Sequence, residues 1–356
     1  MMPQARLLAR VRAGLFATPL DAVVSAAIAL ALAALVPGLI RWAILNAVWT
    51  GESSATCRPD GACWALVTAR WRQMLAGFYP DAQLWRVGAA TALLAAALVP
   101  VLSPRGGRWL WLTPAGVIGA FVLLSGAGLS GLPDVAPEAW GGLFLNVLVG
   151  ASGILMALPL GVSLALGRRS HWPVVKGLSV GFIELVRSVP LITLLFMASV
   201  VLPLLAPPGA ELDRLTRALV VVVLFSAAYM AEAVRGGLQA VPAGQVEAAR
   251  ALGLGPVRTT ALVVLPQGLR AAIPALVNTF IGVFKDTTLL YVIGLFDVMW
   301  IARAATSDFA WQGRELEAYA FVGLVFFLAC FALSRWSVAL EGRLDARPGE
   351  VAKEPA

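Results

Sequence analysis

The sequence predicts an all-α, polytopic membrane protein of about eight transmembrane helices. Three observations predict it. Of 356 residues, 60% are hydrophobic and only 13% are charged, whereas soluble domains average about 25% charged residues; mean hydropathy is +0.83. Eight apolar runs are present, most of them near the roughly 20 residues that a helix needs to cross a bilayer. The arginines gather in alternate connecting segments, as topology by positive charge requires.

The runs follow in order. Ala22–Ile40 has a basic leader (Arg6, Arg10, Arg12), no small-residue cleavage site and Arg41 directly after it, so it reads as an uncleaved first span. Val87–Pro104 is short and carries Pro100, and Trp109–Pro133 follows. Pro133, Pro137, Asp134 and Glu138 then interrupt the apolar pattern and divide the chain. Beyond this break come Ala139–Gly167 and Ser188–Ala210, the latter starting earlier, near Val174. Ala218–Ala231, Ala271–Phe284 with Thr287–Phe296, and Ala318–Ser334 complete the set. The expected organisation is an N-terminal extension of three spans over residues 1–133, a five-span core over 134–341 and a tail over 342–356.

With both termini cytoplasmic, the inner segments carry Arg105, Arg108, Arg168, Arg169, Lys176, Arg235, Arg250, Arg258, Arg270, Arg335, Arg343, Arg347 and Lys353. Asp134, Glu138, Glu211, Asp213, Asp308, Glu315 and Glu317 fall outside. Arg58, Arg70 and Arg72 in the first outer loop break the rule, as long loops do. The net charge of +7 is therefore a topology signal. It is too dispersed for a nucleic-acid surface. In the same outer loop, Cys57 and Cys63 flank the turn sequence Pro59-Asp60-Gly61. A disulfide, which suits an oxidising periplasm, and two unpaired thiols are both open. Zinc is disfavoured, because no histidine lies near, and Cys330 reads as helix filler.

The polar stretch Gly244–Pro266 carries Glu247-Ala248-Ala249, three residues, Gly253, nine residues, Val263, one residue and Leu265-Pro266. Gly253 suits the position that ends a helix, Gly255 an N-cap, and Pro242 and Pro256 first-turn positions. The stretch thus reads as helix, glycine turn, helix, with the second helix ending near Pro266. Its spacing resembles the E-A-A-x3-G-x9-[I/V]-x-L-P coupling loop of ABC importer permeases at every position. Phe182–Leu191 (FIELVRSVPL), Ala231–Pro242 (AEAVRGGLQAVP) and Lys285–Leu289 (KDTTL) resemble stretches of the polar amino-acid branch, the histidine- and glutamine-type permeases. Ser188-Val189 departs from that branch's pattern. The resemblance covers about Trp140 to Glu341, and the extension with its Cys57–Cys63 loop is similar to the larger membrane subunit of general L-amino-acid importers.

The resemblance implies a type I importer core and a permease subunit that moves polar L-amino acids inward by alternating access. It also implies partners. They are a dimer of ATP-binding subunits holding ATP and Mg, a second related permease making a heterodimer, and a periplasmic amino-acid-binding protein. Glu247, Ala248, Ala249, Gly253, Leu265 and Pro266 would then couple the chain to the ATPase in the bacterial inner membrane. This chain holds no cofactor and no metal on that reading.

Charges within the spans mark function or bracing. A helix starting near Trp172 places Glu184 about 18 Å along it, near mid-bilayer, with Arg187 on the same face and Pro190 breaking the ladder. Glu184 and Arg187, with Asp286, are substrate-pathway candidates, since a carboxylate and a guanidinium match the ends of a zwitterion. A structural pair between Glu184 and Arg187 stands beside that reading. Glu232, Arg235 and Lys285 read as structural ion-pair residues, and Thr287 and Thr288 as partners for freed backbone groups.

Other classes fit poorly. The only lysines are Lys176, Lys285 and Lys353, and none follows a glycine, so no phosphate-binding G-x-x-x-x-G-K-[ST] loop exists. Gly150-Ala151-Ser152-Gly153 matches the G-x-S-G of an intramembrane serine protease. Its base would have to be His171, the only histidine, which lies in the loop after the same span. Small residues for close helix packing are the better reading. A gradient-driven transporter would share the intramembrane charges but has no use for a docking loop.

Overall fold

The computed structural model describes residues 14–102, 112–129, 131–205, 207 and 212–345. Arg6, Arg10, Arg12, Arg105, Arg108, Glu211, Arg347 and Lys353 lie outside them. Among the described residues the fold is helical, with three isolated β-bridges and no strand. Its helices are α1 Pro19–Ile40, α2 Ala65–Ala76, α3 Leu84–Leu102, α4 Leu112–Ser125, α5 Gly142–Arg168, α6 Pro173–Ser188, α7 Leu191–Phe196, α8 Leu202–Leu205, α9 Arg214–Gln239, α10 Ala243–Ala251, α11 Pro256–Thr259, α12 Leu265–Asp286, α13 Val298–Ser307 and α14 Glu315–Asp345.

Six segments are long and apolar enough to cross a membrane: Pro19–Leu45, Asp81–Pro100, Gly142–Arg168, Arg214–Gln239, Pro256–Ile293 and Glu315–Leu340. A seventh is the broken pair Pro173–Ser188 and Leu191–Leu205, bent by 98°. The remaining expected span is a shorter apolar helix, Thr113–Ser125. The eight apolar runs therefore all appear as helix, but one is short and one is sharply bent. The bend falls at Val189-Pro190. Proline disfavours a helical residue before it and supplies no N–H to the ladder, so α6 and α7 are separate helices.

The chain forms two compact units, Met1–Arg70 with Ala305–Ala318, and Trp71–Ala304 with Tyr319–Ala356. In the first, a capping box starts α1: Asp21 N donates to Thr18 Oγ1, and Thr18 N donates to Asp21 Oδ2, both at 3.1 Å. The Cys57–Cys63 disulfide closes the turn, with Cα atoms 5.5 Å apart. Beside it Trp64 packs against Trp42 and Trp49 and donates its indole N–H to Ala43 O at 2.7 Å. Cys63 N donates to the buried Glu317 carboxylate at 3.0 Å. Arg70, one of the arginines that broke the charge rule, forms an ion pair with Asp308.

In the second unit α5 is the central helix. It packs on α9, α12, α6 and the α3–α4 pair, and most of its first half is buried. Two spans of the extension thus pack onto the core. Tyr79 Oη donates to Leu124 O at 2.8 Å and buried Arg86 donates to Pro133 O at 2.9 Å, pinning the start of α3 to the end of α4. Glycines set the closest approaches. A Cβ on Gly161 would lie 2.8 Å from Met230 Cβ and 3.0 Å from Ala227 O, so α5 and α9 meet nearly backbone to backbone. Arg72, the second exception to the charge rule, pairs with Asp81 at 2.7 Å.

Candidate functional site

The E-A-A stretch is built from local backbone chemistry. Pro242 is the N-cap of α10, one position before the first turn. At the other end Gly253 adopts φ +78°. Its N–H donates to Arg250 O at 2.9 Å, and Leu254 N donates to Ala249 O at 3.1 Å. These two bonds make a Schellman ending, which needs a left-handed residue at Gly253. Gly255 then caps α11, with Pro256 in its first turn, and Thr259 Oγ1 reaches back to Leu254 O at 3.1 Å.

The second helix does not end near Pro266. A π-helical turn over Thr260–Val264 carries α11 into α12, which continues to Asp286 with Pro266 in its first turn. A proline ring clashes with the carbonyl four residues back and lacks an N–H; a wider turn placed just before it accommodates both. The stretch presents its residues unequally. Ala249 is buried, Val263 and Leu265 are half-buried, and Glu247, Ala248 and Pro266 are exposed. Leu252 and Val257, which the motif does not specify, are 82% and 81% exposed. Apolar residues inside a polar stretch were the available signal for them.

This projecting element is joined stiffly to the bundle. A Cβ on Gly237 of α9 would lie 2.2 Å from Gly268 O of α12, and one on Gly268 would lie 2.6 Å from Leu238 Cδ2. Gln267 Nε2 adds a bond to Gln245 Oε1 at 3.3 Å and one to Val263 O at 2.9 Å. The E-A-A element is thereby held against two long helices, α9 and α12.

A charge cluster lies just above. Glu232, with a side chain 16% exposed, is its centre. Glu232 Oε1 accepts from Arg168 at 2.7 Å, and Oε2 accepts from Arg235 Nε at 2.9 Å with Arg187 at 3.7 Å. Arg168 also binds Glu184 at 3.0 Å, and Arg235 donates to Gln239 at 3.0 Å. Glu184 and Arg187 are therefore not paired with each other; each reaches a residue of another helix. Glu184 meets Arg168, the last residue of the 27-residue α5, and so lies towards that end of α5 rather than beside its middle.

A cavity of about 280 Å³ opens between α9 and α12; its lining is mostly apolar, with Phe225 and Val283 beside Ser226, Tyr229, Asn278, Thr279 and Asp286. The Arg187 guanidinium sits 5.3 Å from the Tyr229 ring centroid, so two of the sequence candidates approach one aromatic wall. Lys285 is exposed and beyond ion-pair distance of Asp286. Adjacent helical residues point to different faces, which separates these two. Thr287 and Thr288 donate to Phe284 O and Lys285 O at 2.7 and 2.9 Å, where the α-helix tightens into the 3-10 segment Thr287–Ile293. Beyond it, Asp297 is wholly buried; it caps α13 through Trp300 N at 2.8 Å and accepts from Asn146 of α5 at 3.3 Å. Burial pushes its carboxyl up to about 6.

Ser152 is fully buried in α5, and the exposed His171 lies beyond the end of that helix, more than about four turns away. No acyl-transfer pair is formed. Gly150 and Gly153 instead admit Phe284 and Val222 at packing distance.

Comparison with known proteins agrees with this architecture. Residues 157–346 match the family described as binding-protein-dependent transport system inner membrane component. The chain is 46% identical over 316 residues to the inner membrane amino-acid ABC transporter permease protein YhdY of Escherichia coli, covering 87% of this chain and 86% of that one. It is 40% identical over 402 residues to the glutamate/glutamine/aspartate/asparagine transport system permease protein BztC of Rhodobacter capsulatus, covering 94% and 92%. Both alignments extend into the N-terminal extension. Among solved structures, a crystal structure of an amino acid ABC transporter with histidines superposes with a TM-score of 0.52 at 28% identity, over 57% of this chain and 92% of that one. The chain therefore belongs to the binding-protein-dependent transport system inner membrane components, the multi-pass permease subunits of ABC transporters.

Proposed function

We propose that this chain is one of two permease subunits of an ATP-driven importer for polar L-amino acids, and that Glu247–Pro266 is where the driving force enters. The carrying observation is the projecting E-A-A element. It presents Leu252 and Val257 to a partner, while the Gly237–Gly268 crossing fastens it to α9 and α12. ATP and Mg belong to the partner ATPase dimer. A periplasmic binding protein delivers the amino acid, and a related permease completes the pathway as a heterodimer. The E-A-A element faces the cytoplasm on this reading. Glutamate, glutamine, aspartate and asparagine, for which BztC is named, are the first substrates to test.

Within this chain the pathway is assigned to the Asp286 cavity. Asp286 and Tyr229 meet the substrate ammonium, a carboxylate charge and an aromatic face both being favourable for it. Arg187, over the face of Tyr229, attracts the carboxylate. Glu232 with Arg168, Arg187 and Arg235 closes the cytoplasmic end, and movement of the loop towards its counterpart in the second permease parts those contacts and opens the opposite end.

Gly253→Val tests the coupling role. There is open space around a Cβ at Gly253, so the damage is confined to the backbone. A β-branched residue at φ +78° costs about 1–2 kcal/mol and displaces the Schellman turn. The expected result is normal membrane insertion with ATP-driven uptake in reconstituted vesicles reduced about tenfold or more. Unchanged uptake would remove the loop from the mechanism. Uptake that persists without the ATPase under an ion gradient would replace the reading with a secondary transporter.

A further inference from the structure

At the opposite end of α9, about 39 Å from the E-A-A element along a 26-residue helix, lies a second pocket of about 390 Å³. Glu138, Trp140, Asp213, Arg214, Arg217 and Gly294 line it. Its charges are unequally engaged. Asp213 is turned onto its own helix, accepting from Thr216 N at 3.0 Å and Thr216 Oγ1 at 2.5 Å. Arg214 donates one guanidinium nitrogen to Gly294 O at 3.1 Å. Arg217 donates Nη1 to Ala198 O and Ser199 O at 3.2 and 3.0 Å, while its buried Nε has no protein acceptor.

Carbonyl oxygens fix a guanidinium without neutralising it. Among the described residues neither arginine has an ion-pair partner. The two stand three residues apart, on one face of the first turn of α9, where the helix N-terminus adds positive potential. Gly294, at φ +78°, lets Arg214 lie against the backbone: a Cβ there would come 2.8 Å from its Nη1. Glu138, exposed, lines the same pocket. Two carbonyl-held guanidinium groups without an ion-pair partner among the described residues, beside the exposed Glu138 carboxylate, are the complement of a zwitterion, and a planar guanidinium takes a carboxylate in a fork.

The geometry points to a second, outer binding site for a free α-amino acid, with its carboxylate on Arg214 and Arg217 and its ammonium at Glu138. It lies ahead of the Asp286 cavity on the way in, and it rests on the transport reading above for which end faces outward. A carboxylate can come from two sources, a free amino acid or an acidic side chain of the docked binding protein. The experiment separates them.

Leu212 is exposed and lines the pocket. The whole complex in right-side-out vesicles carries Leu212→Cys in a Cys330→Ser background, with no binding protein added. The readout is the rate of labelling by a negatively charged methanethiosulfonate. L-Glutamine and L-glutamate are expected to slow labelling, and 4-aminobutanamide, which is glutamine without its α-carboxylate, is not. Arg214→Gln with Arg217→Gln should raise the half-protecting concentration about tenfold or more, as loss of charge-assisted bonds predicts. The paired lysine variants, which keep charge without the fork, should fall between and serve where the glutamine pair fails to insert. Asp286→Asn should leave protection intact. Protection that survives loss of both arginines overturns the site, as does equal protection by sulfate or acetate. Absent protection with weakened binding-protein affinity assigns the arginines to docking and overturns it equally. ATP-driven uptake in the same vesicles, with ATP enclosed and binding protein then added, reports on the parent reading alone.

Discussion

The two ends of α9 handle charge in opposite ways. Near its C-terminal end Glu232 is surrounded by Arg168, Arg187 and Arg235, so cations from three helices share one carboxylate. At its N-terminal end Arg214 and Arg217 are held by carbonyl oxygens of Gly294, Ala198 and Ser199. The first arrangement ties helices together through charge neutralisation. The second positions charge on neutral acceptors. One helix thus carries a shared ion-pair cluster at the end nearest the E-A-A element and, at the other, two arginines that among the described residues are held by carbonyl oxygens alone.

The sharpest way to break this asymmetry is to detach α9 from α12. Gly237→Ala places a Cβ 2.2 Å from a backbone oxygen, and no side-chain rotation relieves a clash with backbone. The helices must separate, which exceeds ordinary overpacking and is expected to cost about 3 kcal/mol or more. The variant should give little monodisperse protein by size-exclusion chromatography in detergent. Gly236→Ala, with open space around its Cβ, should behave as wild type. Equal yields from the two would show that the crossing does not fasten the loop.

Removing the neutralising centre comes next. Glu232→Gln leaves three guanidinium groups together with Glu184 as the remaining paired carboxylate among the described residues. Deleting one partner of a buried network costs about 3 kcal/mol, lessened here by partial exposure of the arginines. A lower unfolding temperature is expected, partly restored by Arg168→Gln, since the two residues are coupled. Additive losses would mean that the cluster is a set of independent surface pairs.

The sequence disclosed these regions unevenly. The E-A-A turn was legible because its chemistry is local: Gly253 follows from φ, and both its bonds close within six residues. Glu232 with Arg235 was legible for the same reason, being one helical turn apart. Arg168 was not, since 64 residues separate it from Glu232 and only the packing of α5 on α9 brings them together. The contact of Glu184 with Arg168 was not legible either, since spacing along one helix gives distance but not direction relative to another. Arg214 and Arg217 carried no motif. Their role depends on which acceptors surround them, and that is a tertiary fact.

The smallest expected effect concerns the wall of the outer pocket. Gly294–Phe296 line it, and the next residue, Asp297, fastens this segment to Asn146. Asp297 lies beyond the spanning segment, which runs to Ile293. Burial raises its carboxyl from 3.8 to about 6, so between these values the folded protein binds more protons than the unfolded chain. Stability contributed by this group is therefore present at low pH and is lost as pH rises through about 6. A shift of this size corresponds to about 3 kcal/mol at most. Thermal unfolding in detergent should show wild type losing stability relative to Asp297→Asn between pH 4 and pH 6.5, since asparagine keeps an acceptor for Trp300 N and does not titrate. Parallel pH profiles would place the proton elsewhere and leave the pocket wall independent of pH. A diverging profile, read beside the Leu212→Cys labelling rate at the same pH values, would tie the stability of that wall to access at the outer end of α9.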